Sequence, residues 1–147
     1  MRIFCDTNIV TEIIESRQFA PQIIQILRTT AGRNEFYVSA GSFYTITYLA
    51  ERFLKKRGLQ NPLRIQETRK ALKGLLRYFR IATNDEFTIE EGLDDPHFTD
   101  LEDSYQWQAA LACHADVLLT INVKDFKNAG QSSLQVMTPE EFVQHCL

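Results

Sequence analysis

Short apolar runs alternate along the chain with longer stretches in which apolar residues recur every three or four positions. The short runs predict strands at 2–5, 35–39, 80–82, 117–121 and 135–137. The longer stretches predict helices at 8–15, 21 to a stop signal at 32–34, 39 or 42 to 57, 62 to about 78, 85–93, about 100 to 114, and 139–146. This alternation predicts an α/β fold, a three-layer α/β/α sandwich with a mainly parallel sheet of about five strands and right-handed crossovers.

Residues at the predicted element ends agree with this reading. Thr7 is expected to cap the first helix, and Ser39 or Ser42 the third, which Gly58 ends. The run 117–121 is apolar almost throughout, as expected for a parallel strand that is covered on both faces.

The composition is that of an ordinary globular domain, and we expect one domain spanning residues 1–147. Hydrophobic residues make up 44% of the chain and charged residues 24%, with no apolar run long enough to span a bilayer and no signal-peptide pattern. Cys5, Cys113 and Cys146 are isolated, which favours free thiols in a reducing compartment, with a disulfide pair as the alternative. No histidine or cysteine spacing predicts zinc. We therefore expect a cytoplasmic protein without a membrane partner.

The net charge of −3 conceals a strong asymmetry along the chain. Residues 52–80 hold ten basic side chains and one acid, whereas residues 85–103 hold nine acids and no base. One interpretation is a solvated basic surface joined by salt bridges to an acidic segment. The other is a basic surface that attracts a polyanion, beside a carboxylate cluster that collects metal ions.

Polar side chains follow two of the predicted strands where each strand ends. Asp6 and Asn8 follow the first strand, and Asn122 and Asp125 follow the strand that ends near Thr120. Ligands of open α/β sheets bind beyond the carboxyl ends of the strands. These side chains are therefore candidates for one site, with an ordinary solvent loop as the alternative for each stretch alone.

An acidic helix start lies between these two stretches in the sequence. Asp100 and Asp103 are three residues apart and share one helix face, whereas Glu102 is expected to face solvent. The positive end of the helix dipole helps to tolerate such a cluster. The alternative is that these acids only stabilise the helix.

These motifs resemble those of the PIN-domain ribonucleases, in particular the VapC-like branch of toxin–antitoxin pairs. Asp6-Thr7-Asn8 looks like the opening motif of the family, and Asp100-Leu-Glu-Asp103 before an alanine-rich helix is similar to its central motif. Thr120-Ile-Asn122-Val-Lys-Asp125-Phe resembles its Thr-x-Asn-x-x-Asp-Phe motif, and Val136-Met-Thr-Pro-Glu-Glu-Phe142 its final strand and helix. The resemblance covers essentially the whole chain and implies a PIN-like fold.

What the resemblance implies is endonucleolytic hydrolysis of RNA with Mg²⁺ or Mn²⁺, and neutralisation by a small antitoxin protein. Asp6 and Asp103 map onto the main metal ligands of a catalytic set. That set is Asp6, Asp100, Asp103 and Asp125. The supporting positions are Asn8, Thr45, Thr120 and Asn122. Hard oxygen ligands of this kind are those that Mg²⁺ prefers.

The chain departs from the family pattern at Thr45, where the helix after the second strand usually carries an acid or an amide. No acid lies between Glu35 and Glu51, and Glu51 is too far around the helix to replace it. Glu12, four residues after Asn8, is a candidate for partial compensation. The departure counts against a second metal site and against full activity.

Basic residues of the third and fourth helices are candidate contacts for RNA phosphates. They are Arg52, Lys55, Lys56, Arg69, Lys73 and Arg77. The same region is also a candidate for an acidic antitoxin segment or for a homodimer. Tyr44, Tyr48 and Trp107 are candidates for base stacking, although aromatic residues at helical spacing more often belong to a core.

Two other functions remain open from the sequence. A catalytically weak PIN-like module that binds RNA or a protein is favoured by Thr45. A phosphatase of the haloacid-dehalogenase type also begins with an aspartate after its first strand, but it calls for an acid where Asn8 stands and a lysine near the last acid, for which Lys124 alone is thin support. Glycine-rich loops typical of dinucleotide or nucleoside triphosphate binding are absent from the sequence.

Overall fold

Five parallel strands form one sheet with the order β3-β2-β1-β4-β5 in the computed structural model, which describes residues 1–129 and 133–147. The strands are β1 (Arg2–Cys5), β2 (Glu35–Ser39), β3 (Phe79–Ala82), β4 (Val117–Leu119) and β5 (Gln135–Met137). The helices of the described ranges are α1 (Thr7–Ile14), α2 (Ala20–Thr29), α3 (Ala40–Lys56), α4 (Leu63–Leu75), α5 (Glu86–Asp94), α6 (Leu101–Ala112), α7 (Val123–Phe126) and α8 (Pro139–Cys146). The predicted parallel sheet is confirmed.

The two faces of the sheet bury two separate apolar clusters because successive strand side chains point to opposite faces. Ile3 and Cys5 of β1 belong to the first cluster, which is covered by α1, α2, α3 and α8. Phe4, between them, belongs to the second cluster, which is covered mainly by α6 and α7. The same alternation separates Leu118 from its neighbours in β4. The predicted three-layer α/β/α arrangement is therefore confirmed.

The predicted fourth strand was too long, and the helix α7 was not predicted. β4 ends at Leu119, and the Thr120 hydroxyl bonds polar groups of the site while its backbone N–H still donates to the Met137 carbonyl at 3.0 Å. Asn122 then begins the short helix that contains Asp125. A segment of four residues is too short to show helical periodicity, so the sequence pattern did not predict α7.

The capping predictions had mixed outcomes. The Ser39 hydroxyl accepts from the Ser42 amide at 2.9 Å and caps α3, and Gly58 follows the end of α3 with a φ of +88°. The prediction for Thr7 was wrong, because Asp6 occupies the N-cap position of α1 and Thr7 is its first helical residue. The Thr7 hydroxyl is thereby left for contacts with other elements.

Close packing joins α5 to α6 through Gly92. A Cβ at this position would lie 2.9 Å from Cδ1 of Tyr105, and the Gly92 carbonyl accepts a hydrogen bond of 2.6 Å from the Ser104 hydroxyl. This contact fixes the start of α6, which carries the acidic motif. No helix in the described part of the chain is both long and apolar enough to cross a membrane.

The three cysteines are free in the structure, so the prediction of free thiols is confirmed and the disulfide alternative was wrong. Cys5 is buried at the end of β1, and burial, together with the neighbouring Asp6 charge, raises the pKa of its thiol. The thiol is therefore inert at neutral pH.

Candidate active site

The end of β1 places Asp6 at the middle of the carboxyl edge of the sheet. β1 lies between β2 and β4, where the strand order reverses, and open α/β sheets bind ligands at such a position. The Asp6 backbone N–H donates to the Leu119 carbonyl at 3.0 Å, and the residue is only 5% exposed. Burial raises the pKa of the Asp6 carboxyl, while hydrogen bonds from Thr120 and Gln106 oppose that rise.

Two strand-end motifs meet in one hydrogen-bonded unit around this carboxylate. The Thr120 hydroxyl donates to Oδ2 of Asp6 at 2.7 Å, and the Asn8 side-chain amide donates to the same oxygen and to the Thr120 hydroxyl. The side-chain Oδ1 of Asn8 accepts from the Ile121 N–H, and the Thr120 hydroxyl accepts from the Asn122 N–H. Asn8 and Thr120 thus hold the Asp6 carboxylate in one orientation.

The acidic start of α6 contributes the second important carboxylate, Asp103. Burial of this half-buried residue, together with the charges of Asp6, Asp100, Asp125 and Glu102, raises the pKa of Asp103 to about 7. The four acids predicted to be catalytic therefore lie close enough to interact electrostatically. Asp100 itself caps α6 by accepting from the Glu102 N–H at 2.8 Å.

The last motif is more open to solvent than the first. Asn122 and Asp125 are both exposed, at the N-cap and within α7 respectively. Across residues 1–129 and 133–147, no three histidine, cysteine, aspartate or glutamate side chains are grouped so as to hold a metal ion. The described acids thus form an electrostatic cluster rather than a closed cage of ligands.

A buried network of hydroxyls and an amide, which the sequence did not reveal, links the starts of α1 and α3 to α6. Oε1 of Gln106 accepts from the Thr7 N–H at 3.2 Å and from the Ser42 hydroxyl at 3.3 Å. The Ser42 hydroxyl in turn accepts from the hydroxyls of Thr7 and Ser39. Gln106 is three residues after Asp103, and this spacing on one helix face was the signal that could have revealed it.

Thr45 lies beside this network but brings no charge to it. It lines a cleft of about 370 Å³ together with Ser42, Glu102 and Gln106. Its hydroxyl donates to the Gly41 carbonyl of its own helix at 3.5 Å. At the place where the family usually has an acid or an amide, this chain therefore presents a neutral side chain.

Two further glutamates have different outcomes. Glu12 does not join the site: its buried carboxylate accepts from the Phe19 N–H at 2.9 Å and lies 3.9 Å from Arg17. Glu102 is exposed to solvent as predicted, and its Oε1 also lies 3.4 Å from the Thr7 hydroxyl oxygen. Glu102 is thus a further acid at the edge of the cleft.

The predicted phosphate-contacting residues are exposed but form two groups. Arg52 and Lys55 line a groove between α3 and α4, and Lys56 is exposed at the end of α3. The second group lines a separate surface on and after α4. It consists of the predicted residues Arg69, Lys73 and Arg77, and Lys70 lines the same surface. Among the described residues, no ion pair involves either group, so the salt-bridge interpretation was wrong for them.

The three aromatic candidates separate into two classes. Trp107 is 4% exposed and packs against Phe98 and Phe126, with ring centroids 6.2 and 6.4 Å away, so it belongs to the core. Tyr44 and Tyr48 are 77% and 63% exposed, so the expectation that aromatic residues at helical spacing are core residues was wrong for them.

Comparison with solved structures identifies relatives in fold. A chain of VapBC2 from Rickettsia felis, solved bound to a DNA fragment from its promoter, superposes with a TM-score of 0.69 at 18% identity, over 94% of this chain and 98% of that one. A chain of VapBC-1 from nontypeable Haemophilus influenzae gives 0.67 at 19% identity, over 95% and 99%. A chain of a toxin–antitoxin complex from Klebsiella pneumoniae gives 0.64 at 24% identity, over 93% and 97%.

At the level of the fold, these superpositions confirm the resemblance to the VapC-like, PIN-domain branch. No family model and no curated protein matches the sequence.

Proposed function

We propose that the chain is a metal-dependent endoribonuclease that hydrolyses RNA phosphodiester bonds and acts as the toxin of a type II toxin–antitoxin pair. One observation carries the proposal: the buried Asp6 carboxylate is held by Thr120 and Asn8 at the carboxyl edge of the sheet, and Asp103 lies near enough to it, to Asp100 and to Asp125 for their charges to help raise its pKa. Such a concentration of negative charge is unfavourable by itself, and a bound cation would relieve it.

The donor set fits Mg²⁺ or Mn²⁺ better than a metal that requires a closed protein cage. Mg²⁺ is usually bound by one or two carboxylates, keeps several waters and takes further oxygens from substrate phosphates. Asp6 and Asp103 are the carboxylates that would hold it. When bound, such an ion lowers the pKa of its water and stabilises negative charge on the phosphate.

Neighbouring side chains position the acids of the candidate site. Thr120 and Asn8 fix the Asp6 carboxylate by donating to one of its oxygens, and the buried Gln106 ties the start of α1 to α6. Because Thr45 is neutral, α3 adds no acidic ligand at this edge. We infer a single principal cation rather than two.

The proposed partners are RNA, a small antitoxin protein and a second copy of the chain. The antitoxin is supported by the fold that the chain shares with members of toxin–antitoxin complexes. A homodimer is supported by Phe87, Leu93 and Leu101, large apolar side chains that are 66%, 54% and 49% exposed. Light scattering of the purified chain tests the dimer, and co-purification with the product of a neighbouring short reading frame tests the antitoxin.

A catalytically weak module that binds RNA or a protein is the second candidate function. Thr45 favours it, together with the lack, among the described residues, of a three-acid group arranged to hold a metal. A phosphatase of the haloacid-dehalogenase type gains no such support. The Asn8 amide is engaged with Asp6 and Thr120, and within the described ranges Lys124 forms no ion pair.

Cleavage of RNA by the native chain in Mg²⁺ or Mn²⁺, compared with EDTA, separates the first two functions. Asp6→Asn is expected to abolish cleavage. Asp116→Asn is the matched control, because Asp116 is exposed at the amino end of β4, where its carboxylate accepts from the Arg2 N–H at 2.8 Å. A native chain that cleaves no RNA with either metal would contradict the nuclease proposal, and phosphate bound covalently to Asp6 would instead support the phosphatase.

A further inference from the structure

Two tyrosines project from one face of α3 into solvent. Tyr44 and Tyr48 are 77% and 63% exposed, whereas Ile46 and Ala50 of the same helix are buried. Residues four apart on a helix lie on one face, about 6 Å apart along its axis. The two phenol rings are therefore neighbours that the core does not use.

The same face continues into a basic groove between α3 and α4. Arg52 and Lys55 extend the line of exposed positions, and Arg64 of α4 lies across from them in a groove of about 300 Å³. Tyr48 and Glu51 complete the lining. The three cations outnumber the single acid, and none of them forms an ion pair within the described residues.

The other end of the face adjoins the candidate active site. Thr45, next to Tyr44 in the sequence, lines the cleft that also contains Glu102 and Gln106. The exposed stripe therefore begins beside the acidic cluster and leads away from it to the basic groove.

We propose that this stripe binds a single-stranded segment of RNA, with bases stacked on Tyr44 and Tyr48 and phosphates held by Arg52, Lys55 and Arg64. The inference rests on the proposed function and adds to it a binding surface for the substrate strand outside the acidic cluster. Aromatic platforms combined with a basic groove are the usual way in which proteins bind single strands. A duplex keeps its bases stacked inside, so it cannot use the tyrosines.

The charge of the groove favours RNA over a protein as the occupant. A row of phosphates matches the three cations at the end of the stripe, which form no ion pair with any described residue, and an RNA strand held there would be led towards the cleft that holds Glu102 and Gln106. If the tyrosines instead served to bind a protein, replacing them would not change the affinity of the chain for RNA.

Binding is measured in EDTA, so that the result does not depend on cleavage. The probe is a fluorescein-labelled RNA of about 12 nucleotides without self-complementarity, compared with the same strand in a duplex. Tyr44→Ala with Tyr48→Ala is expected to weaken single-strand binding roughly 10- to 100-fold. Tyr44→Phe with Tyr48→Phe should bind like the native chain, because it keeps the rings.

Tyr78→Ala is the matched control, because Tyr78 is also an exposed tyrosine, at 49%, but lies outside α3 beside Arg77 and Arg80. Its affinity should be unchanged. In a second series, Arg52→Ala with Lys55→Ala should reduce the slope of log affinity against log salt by about 0.7 for each lost phosphate contact.

Unchanged single-strand affinity in the double alanine variant would overturn the inference, and so would an equal loss in Tyr78→Ala or a preference for the duplex. Thermal unfolding of each variant shows that it is folded. If the native chain binds the single strand through the tyrosines but cleaves no RNA in Mg²⁺ or Mn²⁺, the proposed nuclease function is wrong, whereas the proposed role of the stripe in RNA binding is supported.

Discussion

The Thr120 hydroxyl donates a hydrogen bond of 2.7 Å to the Asp6 carboxylate across 114 residues of sequence. Both groups are almost completely buried, and the Asn8 side-chain amide is the other side-chain donor to the same Asp6 oxygen. We predict that Thr120→Val, which keeps the side-chain volume, destabilises the fold by about 1–3 kcal/mol because it removes one of these two donors from a buried carboxylate.

Thr120→Ser keeps the hydroxyl and serves as the matched control for this prediction. Urea denaturation at neutral pH measures the stability of both variants. Equal stability of the native chain and Thr120→Val would show that this hydrogen bond contributes little.

Removing the charge of Asp103 should stabilise the metal-free chain at high pH but not at low pH. Its pKa is raised to about 7 in the folded chain, above the ordinary value of 3.8, so the folded state binds more protons than the unfolded state between these values. Stability therefore falls as the pH rises through this window, and the cost is complete above about pH 7. Asp103→Asn lacks this cost.

We expect Asp103→Asn to gain about 1–2 kcal/mol over the native chain at pH 8 and almost nothing at pH 4, the magnitude being reduced by the partial exposure of the side chain. Thermal unfolding in EDTA at both pH values measures it. Mg²⁺ should raise the Tm of the native chain more than that of the variant. A gain that is the same at both pH values would contradict the electrostatic origin.

Restoring an acid on α3 should strengthen metal binding. Thr45→Glu places a carboxylate in the cleft that Glu102 and Gln106 line, so the Kd for Mn²⁺ should fall by about tenfold, while the metal-free chain loses stability because of like charges. Calorimetric titration measures the affinity. Thr45→Gln is the uncharged control, and equal affinity in both variants would show that the α3 position does not reach the cation.

Two glycines provide a paired test of helix packing. Gly92→Ala brings a Cβ to 2.9 Å from the Tyr105 ring, so either the ring or the packing of α5 against α6 must shift, which we expect to cost about 1–3 kcal/mol. Gly74→Ala meets no atom within 4 Å in the last turn of α4 and should stabilise by up to about 0.5–1 kcal/mol. Chemical denaturation measures both, and two changes of the same sign would contradict this account.

The sheet was predictable because its strands are short apolar runs bounded by clear polar signals. The positions of Asp6, Asn8, Thr120 and Asn122 at strand ends followed directly, since the carboxyl ends of parallel strands share one edge. Gln106 and Ser42 could not be found in this way. Their roles depend on which neutral polar side chains come into contact when α3 packs beside α6. The hydrophobic pattern of the sequence does not predict such contacts.

The sequence also did not predict which face of α3 is buried. Tyr44 and Tyr48 have the spacing of core residues, but Ile46 and Ala50 have the same spacing on another face, and that face is the one that is buried. The sequence pattern contains both stripes, and only packing against the sheet decides between them.

The pairing of β1 with β4 has a consequence for when the candidate site assembles during synthesis. Ile3 pairs with Val117, and the Asp6 carboxylate is held by Thr120, so the edge of β1 that faces β4 must wait for a partner that is translated more than a hundred residues later. Contacts of such long sequence separation form slowly. A nascent chain that has not yet exposed residue 125 outside the ribosome would therefore lack the acidic cluster, because Asp6 and Asp125 have no common location until then.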